Sequence, residues 1–233
     1  YYNPVAMLNE RSSDTDVDRF GVNGRVTLNI LPVKGLKWDN FVSYGGYRYD
    51  NYDYKTKYYP GETGMNGQAE ISNSFSDDLQ YESTLQYNNK FGKHGVQAIA
   101  GYTWQQQTSR SSYEYNYDFD TDYFKAYNMG AGNALKAGTA EMSSNKESNR
   151  YIAFFGRVMY NYDDKYLVSA SIRRDGSSRF GKNNKWGWFP AVSLGWRISR
   201  ENFMKDIKWI DELKLRAGFG VTGNQDFSNY KSL

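Results

Sequence analysis

From Phe20 to Ile30 the even positions read Phe20, Val22, Gly24, Val26, Leu28, Ile30, and the odd ones Gly21, Asn23, Arg25, Thr27, Asn29. An apolar residue at every second place predicts a strand whose two faces meet different surroundings. The same period marks Leu79, Tyr81, Ser83, Leu85 and Tyr87 against Gln80, Glu82, Thr84, Gln86 and Asn88. It returns in Ile152, Phe154, Gly156, Val158, Tyr160, in Tyr166, Val168, Ala170, Ile172, and in Leu213, Leu215, Ala217, Phe219, Val221. Val96 to Trp104 and Leu36 to Tyr49 alternate less cleanly; in the latter the parity changes after Tyr44, which predicts a β-bulge. Trp186 to Ile198 completes a set of eight strands.

The connectors alternate in length. Pro32 to Gly35, Phe91 to Gly95 and Asn161 to Lys165 are tight turns rich in Gly, Pro, Asn and Asp, and between them fall long polar segments, residues 55–75, 111–148 and 175–187. The link from Ser199 to Asp211 is expected to hold a turn of helix, with Phe203, Met204 and Ile207 on one face. Short turns on one side and long loops on the other is the layout of an outer-membrane barrel, although alternation alone also fits a soluble β-sandwich. Strand length separates the two. Trp186, Trp188, Pro190, Val192, Leu194 and Trp196 share a face without a charge. About ten residues at ~3.3 Å each, tilted ~40°, rise roughly 26 Å, the height of an apolar band edged by aromatic girdles. Rings recur at strand ends, at Tyr102 and Trp104 and at Tyr160, Tyr162 and Tyr166. The fold class expected is all-β, a segment of a large antiparallel transmembrane β-barrel.

Composition narrows the partners. Twenty-nine basic and 26 acidic side chains leave a net charge of +3, too balanced to point to nucleic acid. Only 39% of the 233 residues are hydrophobic, but 18% are aromatic, which suits half-buried strands. No cysteine means no disulfide framework or thiolate metal site, and the single histidine, His94, removes most zinc and triad chemistry. No run approaches the ~18–20 apolar residues of a spanning helix. The chain opens on YYNPVAMLNE without an initiator Met or a signal peptide and stops at YKSL, so it is expected to be a fragment.

Two stretches go beyond pattern: VSASIRRDGSSRFGKNNKWGWFPAVSLGWRIS (168–199) and ELKLRAGFGVTGNQ (212–225). Together with the opening YNPVAML, they closely resemble barrel segments of SusC/RagA-like TonB-dependent outer-membrane transporters. The resemblance implies a barrel of about 22 strands of which this chain, residues 1–233, holds about a third, with the plug domain and TonB box outside it. It implies energy from TonB, a SusD-like surface lipoprotein as partner, outer-membrane lipid around the wall, a glycan or peptide as cargo, no cofactor and no catalysis. A passive porin or a surface adhesin built on a similar barrel is the alternative.

Gly218, Gly220 and Gly223 match G-x-G-x-x-G, but no helix pattern opens at the third glycine, and they are read as thinning or bending a strand. Asp14, Asp16, Asp18 and Asp118, Asp120, Asp122 mimic the start of a calcium loop, yet Arg19 or Tyr123 stands where Gly is needed and Arg25 or Met129 where Glu is needed. His94 is read as a solvated turn residue, and Asp163 with Asp164 as an unburied turn pair unsuited to acid/base work. No metal site is expected.

The run Tyr113, Tyr115, Tyr117, Phe119, Tyr123, Phe124, Tyr127 is interleaved with Glu114, Asp118, Asp120 and Asp122. Rings beside carboxylates suit stacking on sugars or docking of a protein, so Tyr113, Tyr115, Tyr117, Tyr123, Phe124 and Tyr127 are the candidate contacts for substrate or partner. The competing reading is a strand extension whose rings pack on one another. The family-motif loop, with Arg173, Arg174, Asp175, Ser177, Arg179 and Phe180, is expected to be a salt-bridged structural anchor.

Overall fold

The computed structural model describes residues 3–61, 64–179, 185–207 and 209–223. Among these, eight strands form one sheet in chain order, each bonded to its neighbours in sequence. They are β1 Arg11–Asn29, β2 Leu36–Lys55, β3 Gln68–Phe91, β4 His94–Tyr117, β5 Glu141–Tyr162, β6 Tyr166–Ser177, β7 Trp186–Arg197 and β8 Lys214–Gly220. The expected all-β meander is present, but β3 and β4 reach 24 residues where the alternating pattern spans about ten. The extensions, such as Gln68 to Asp78 and Gln105 to Tyr117, carry rings and aliphatic groups at only some odd positions, Ala69, Ile71 and Phe75 in one and Tyr113, Tyr115 and Tyr117 in the other, among Ser, Gln, Asn and acidic residues. A backbone ladder needs no apolar face to continue, so the strand outlasts its pattern. The connecting segments shrink to residues 56–67, 118–140 and 178–185.

Register confirms which residues share a face. Val158 lies opposite Ala170, Ala170 opposite Val192, and Val192 opposite Phe219. One step away, Arg157 faces Ser171, and Ser169 faces Ser193, which faces Gly218. Val168, Ile172, Val192, Leu194 and Phe219 are all exposed, so a contiguous apolar face lies uncovered by protein.

The bulge expected after Tyr44 is absent. Ile30 N bonds to Leu36 O, and Thr56 N to Glu10 O; β2 advances by as many residues as β1 retreats, with none left over. Between these ends Arg25 stacks on Phe41 and Arg19 on Tyr47, in the same register. The parity changed because rings also occupy the polar face, where cations cover them, and because β2 loses its apolar positions beyond Gly46.

The tight turns differ in length: residues 92–93 join β3 to β4, residues 163–165 join β5 to β6, and residues 30–35 join β1 to β2. Gly92 takes φ +58°, and Asp163 and Asp164 both take φ +54°, the left-handed pair of a type I′ turn. Asp163 lies 3.2 Å from Lys93 Nζ and Asp164 3.4 Å from Arg200 Nη1. The Asn161 hydrogen bond, then Lys90, hold the Asp164 carboxyl below its ordinary value. The link after β7 forms two 3₁₀ turns, Ile198–Arg200 and Asn202–Met204, in place of the expected helical turn. Met204 is buried while Phe203 is 65% exposed, so the two do not share a face. Glu201, between the turns, accepts hydrogen bonds from Tyr166 Oη (2.6 Å), Trp196 Nε1 (3.1 Å) and Lys165 Nζ (3.2 Å). A short helix, α1 Pro4–Asn9, was not expected, although its signal is present: the Asn3 side chain caps Val5 N and Pro4 occupies the first turn.

The chain divides into two compact units, residues 1–21, 45–78 and 107–148, and residues 22–44, 79–106 and 149–233. The first holds the loops 56–67 and 118–140. The second holds the alternating strand segments and the tight turns.

Two outcomes follow. Ala170→Lys, on the apolar face, is expected to cost about 2–4 kcal/mol in a refolding titration in bilayers, and Ser171→Lys, on the polar face, much less. Equal costs would mean that the faces are assigned wrongly. Hydrogen bonds from Tyr166, then Trp196, depress the Glu201 carboxyl below the ordinary 4.5, so its contribution is full above that value and is lost only as pH falls through the lowered one. The Trp196 part of the fluorescence, taken as the difference from Trp196→Phe, should stay constant down past pH 4.5 and then change. Glu201→Gln should remove that step.

Candidate functional site

In the first unit the ring-rich run separates into three groups. Tyr113, Tyr115 and Tyr117 lie on β4 at alternate positions and so share a face, with the Tyr115 and Tyr117 rings 5.9 Å apart. Tyr117 Oη donates to Thr139 Oγ1 at 2.8 Å. Between them the buried Asn116 points the other way and pins the returning loop, its Nδ2 donating to Met129 O (2.7 Å) and Gly132 O (3.1 Å). Gly132 is required there, since a Cβ would stand 2.5 Å from Asn116 Nδ2.

Asp118, at φ +62°, turns the chain, and its N donates to Met65 O and Gly67 O. Phe119 then enters a small core. It is 5% exposed and packs with Tyr54 (2%), Ala69 and Ala126. The Tyr54 and Phe119 rings meet edge-on at 5.7 Å, and Tyr54 Oη donates to Asp122 Oδ1 at 2.7 Å. Tyr127 stacks on Tyr52 at 5.1 Å and donates to Asp14 Oδ2 at 2.8 Å. That hydrogen bond raises the Tyr127 hydroxyl above its ordinary value.

What remains is the pair Tyr123 and Phe124, 83% and 50% exposed, edge-on at 5.1 Å. The neighbouring carboxylates are engaged within the loop: Asp118 accepts from Asn66, Asp120 from Asn133 and Asp122 from Tyr54. The two candidate readings thus apply to different residues: Phe119 is packed into the loop, Tyr127 is 63% exposed but tied to Tyr52 and Asp14, and Tyr123 and Phe124 are presented to solvent.

In the second unit the family-motif loop does not form one cluster. Arg173 Nε donates to Asp175 Oδ1 at 2.7 Å, its Nη2 to Tyr151 Oη, and its guanidinium covers Tyr151 and Phe155. Arg174 is on the opposite face, 4.6 Å from the Trp186 ring centre and 5.0 Å from that of Trp188. This was legible, because Arg174 has the parity of Ile172 on the apolar face; grouping four charges by proximity in sequence obscured it. Ser177 is buried and its Oγ accepts from Arg179 N, while Ser178 and Arg150 exchange two hydrogen bonds. Phe180 lies outside the described residues. Gly223 of the glycine motif faces Phe189, whose ring a Cβ would meet at 2.3 Å.

Two aromatic belts edge the apolar face. One runs through Tyr81, Tyr102, Phe154 and Trp186, successive ring centres 5.1 to 6.3 Å apart. The other joins His94, Tyr160, Tyr162 and Tyr166. His94 is therefore not simply solvated: it opens β4, with Nδ1 2.7 Å from Tyr160 Oη.

Residues 1–232 match the family model described as TonB dependent receptor-like, beta-barrel. The chain belongs to this TonB-dependent receptor β-barrel family. It is 36% identical over 217 residues to TonB-dependent receptor P39 of Formosa agariphila, covering 88% of this chain and 20% of that protein. It is 32% identical over 178 residues to TonB-dependent receptor SusC of Bacteroides thetaiotaomicron, covering 76% of this chain and 16% of that protein. The solved RagAB peptide transporter shares the fold, with a TM-score of 0.84 and 22% identity over 95% of this chain and 24% of that one. The chain thus spans about a fifth of the length of the curated relatives it matches. As part of a TonB-dependent receptor barrel, the sheet lies in the outer membrane: its apolar face meets lipid, its polar face the lumen, and its short turns the periplasm.

In this receptor wall Phe119→Ala should unfasten the loop, at a local cost of about 3 kcal/mol. Hydrogen exchange would show it as lost protection over residues 116–137 with heat-modifiable migration of the barrel unchanged, whereas Tyr123→Ala should leave protection intact.

Proposed function

We propose that this wall section serves an active importer of a glycan or peptide, energised through TonB and covered by a SusD-like surface lipoprotein. The observation that carries the proposal is the family match over residues 1–232, supported by likeness to SusC and by the fold shared with the RagAB peptide transporter. Plug domain and TonB box belong, on this reading, to other parts of the receptor. Tyr123 and Phe124 are the foremost contacts for lipoprotein or cargo, because clustered exposed rings forgo the ~1.5–3 kcal/mol each that burial gives a large apolar side chain. Tyr113, Tyr115 and Tyr117 form a second rank along one face of β4. Tyr127, bound to Asp14 and stacked on Tyr52, supports the loop.

Energised cells should take up the cargo, and collapse of the proton gradient should stop uptake; uptake that persists would favour a passive porin. Replacing Tyr123 and Phe124 together by Ala should leave assembly intact and lower either uptake or co-purification of the lipoprotein severalfold. If both stay at parental levels, these rings are not the contact.

A further inference from the structure

Arg174 is the one charged residue on the apolar face of β6, and neither the barrel wall nor import accounts for it. Register sets it between Phe154 on β5 and Trp188 on β7. Gly176, two residues on, lets Trp186 lie flat beside it, because a Cβ there would come within 2.9 Å of that indole. The guanidinium is thus held against two indoles, and its Nε is buried without a hydrogen-bond partner. The nearest acid in sequence, Asp175, faces the lumen and is taken by Arg173. A long basic side chain at a membrane edge ordinarily stretches its head to water. This one is fixed in the aromatic belt instead.

The surroundings specify an anion. Positions of β4 to β7 that share this face, from Gln106 down to His94 and their counterparts, carry two cations, Arg150 and Arg174, and no carboxylate. Arg150 Nε is bound to Gln106 Oε1 at 2.8 Å. A guanidinium offers a fork of N–H donors matched to phosphate. Beneath Arg174 the same face is hollowed. Ala98, Ala100, Gly156 and Ala170 stand where neighbouring positions carry larger side chains, and with Ile172 and Val192 they line an apolar depression of ≈ 690 Å³. Gly156 pairs with Ile172, two residues below Arg174.

We propose that this is a binding site for a phosphorylated lipid of the outer leaflet, with the lipid A phosphate on Arg174 and an acyl chain in the depression below. The proposal rests on the membrane placement of the barrel and is independent of import. A charged headgroup above an apolar trough is matched by a cation in an aromatic clamp above a row of Ala and Gly.

The test is native mass spectrometry of the detergent-purified receptor titrated with diphosphoryl lipid A, its dephosphorylated form and phosphatidylethanolamine. The parent should retain lipid A at about tenfold lower concentration than the dephosphorylated form, the scale of one charged hydrogen bond. Arg174→Gln should erase that ratio. Gly156→Leu, whose Cβ would meet only Ile99 O at 3.9 Å, should fill the trough and weaken retention of both forms with the ratio kept. Equal retention of the two forms by the parent would overturn the site even if the Arg174 variant failed to assemble, and an unchanged ratio in an assembled Arg174→Gln receptor would do the same. Uptake is measured separately, so loss of the lipid preference with normal energised uptake, or the reverse, tells the two proposals apart.

Discussion

In hydrocarbon a backbone N–H or C=O without a partner costs several kcal/mol, and this constraint shapes everything else in the sheet. An antiparallel meander answers it, since each strand bonds to its neighbours in sequence. Once the ladder is fixed, side chains alternate between two solvents, and the sequence must alternate with them. Val158, Ala170, Val192 and Phe219 form one row across four strands because lipid lies on that side, and Arg157 and Ser171 lie one step away because water lies on the other. The aromatic belts mark where the first solvent gives way to its interface.

That account also explains what could be read in the chain and what could not. Strands were legible where the two faces meet different media, as at Trp186 to Trp196, whose register and facing match the alternation. Beyond the apolar band the distinction vanishes. Gln68 to Asp78 and Gln105 to Tyr117 are strand in structure but read largely as loop in sequence, because Ser, Asn, Gln and acidic residues outnumber the alternating Ala69, Ile71 and Phe75 or Tyr113, Tyr115 and Tyr117. The parity change after Tyr44 was a boundary of the same kind, made worse by Phe41 and Tyr47 on the polar face under Arg25 and Arg19.

The candidate sites divide along a different line. Alternation shows that Tyr113, Tyr115 and Tyr117 share a face, but the burial of Phe119 depends on Tyr54 and Ala69, far away in sequence and joined to it only by the fold of the loop. No local pattern separates Phe119 from Tyr123, although one is core and the other solvent-facing. Parity alone does separate Arg173 from Arg174, and their different neighbours, Asp175 and two tryptophans, follow from that single step along the strand.

The central claim is that one face of this sheet meets lipid and the other the water of the lumen. The chain has no cysteine, so once any cysteine elsewhere in the receptor is replaced, a thiol introduced at each position from Trp186 to Trp196 reports that position alone. In the receptor reconstituted in bilayers, a membrane-impermeant maleimide should label positions 187, 189, 191, 193 and 195 and spare 188, 190, 192 and 194. Labelling that ignores parity, or that favours the even positions, would contradict the account.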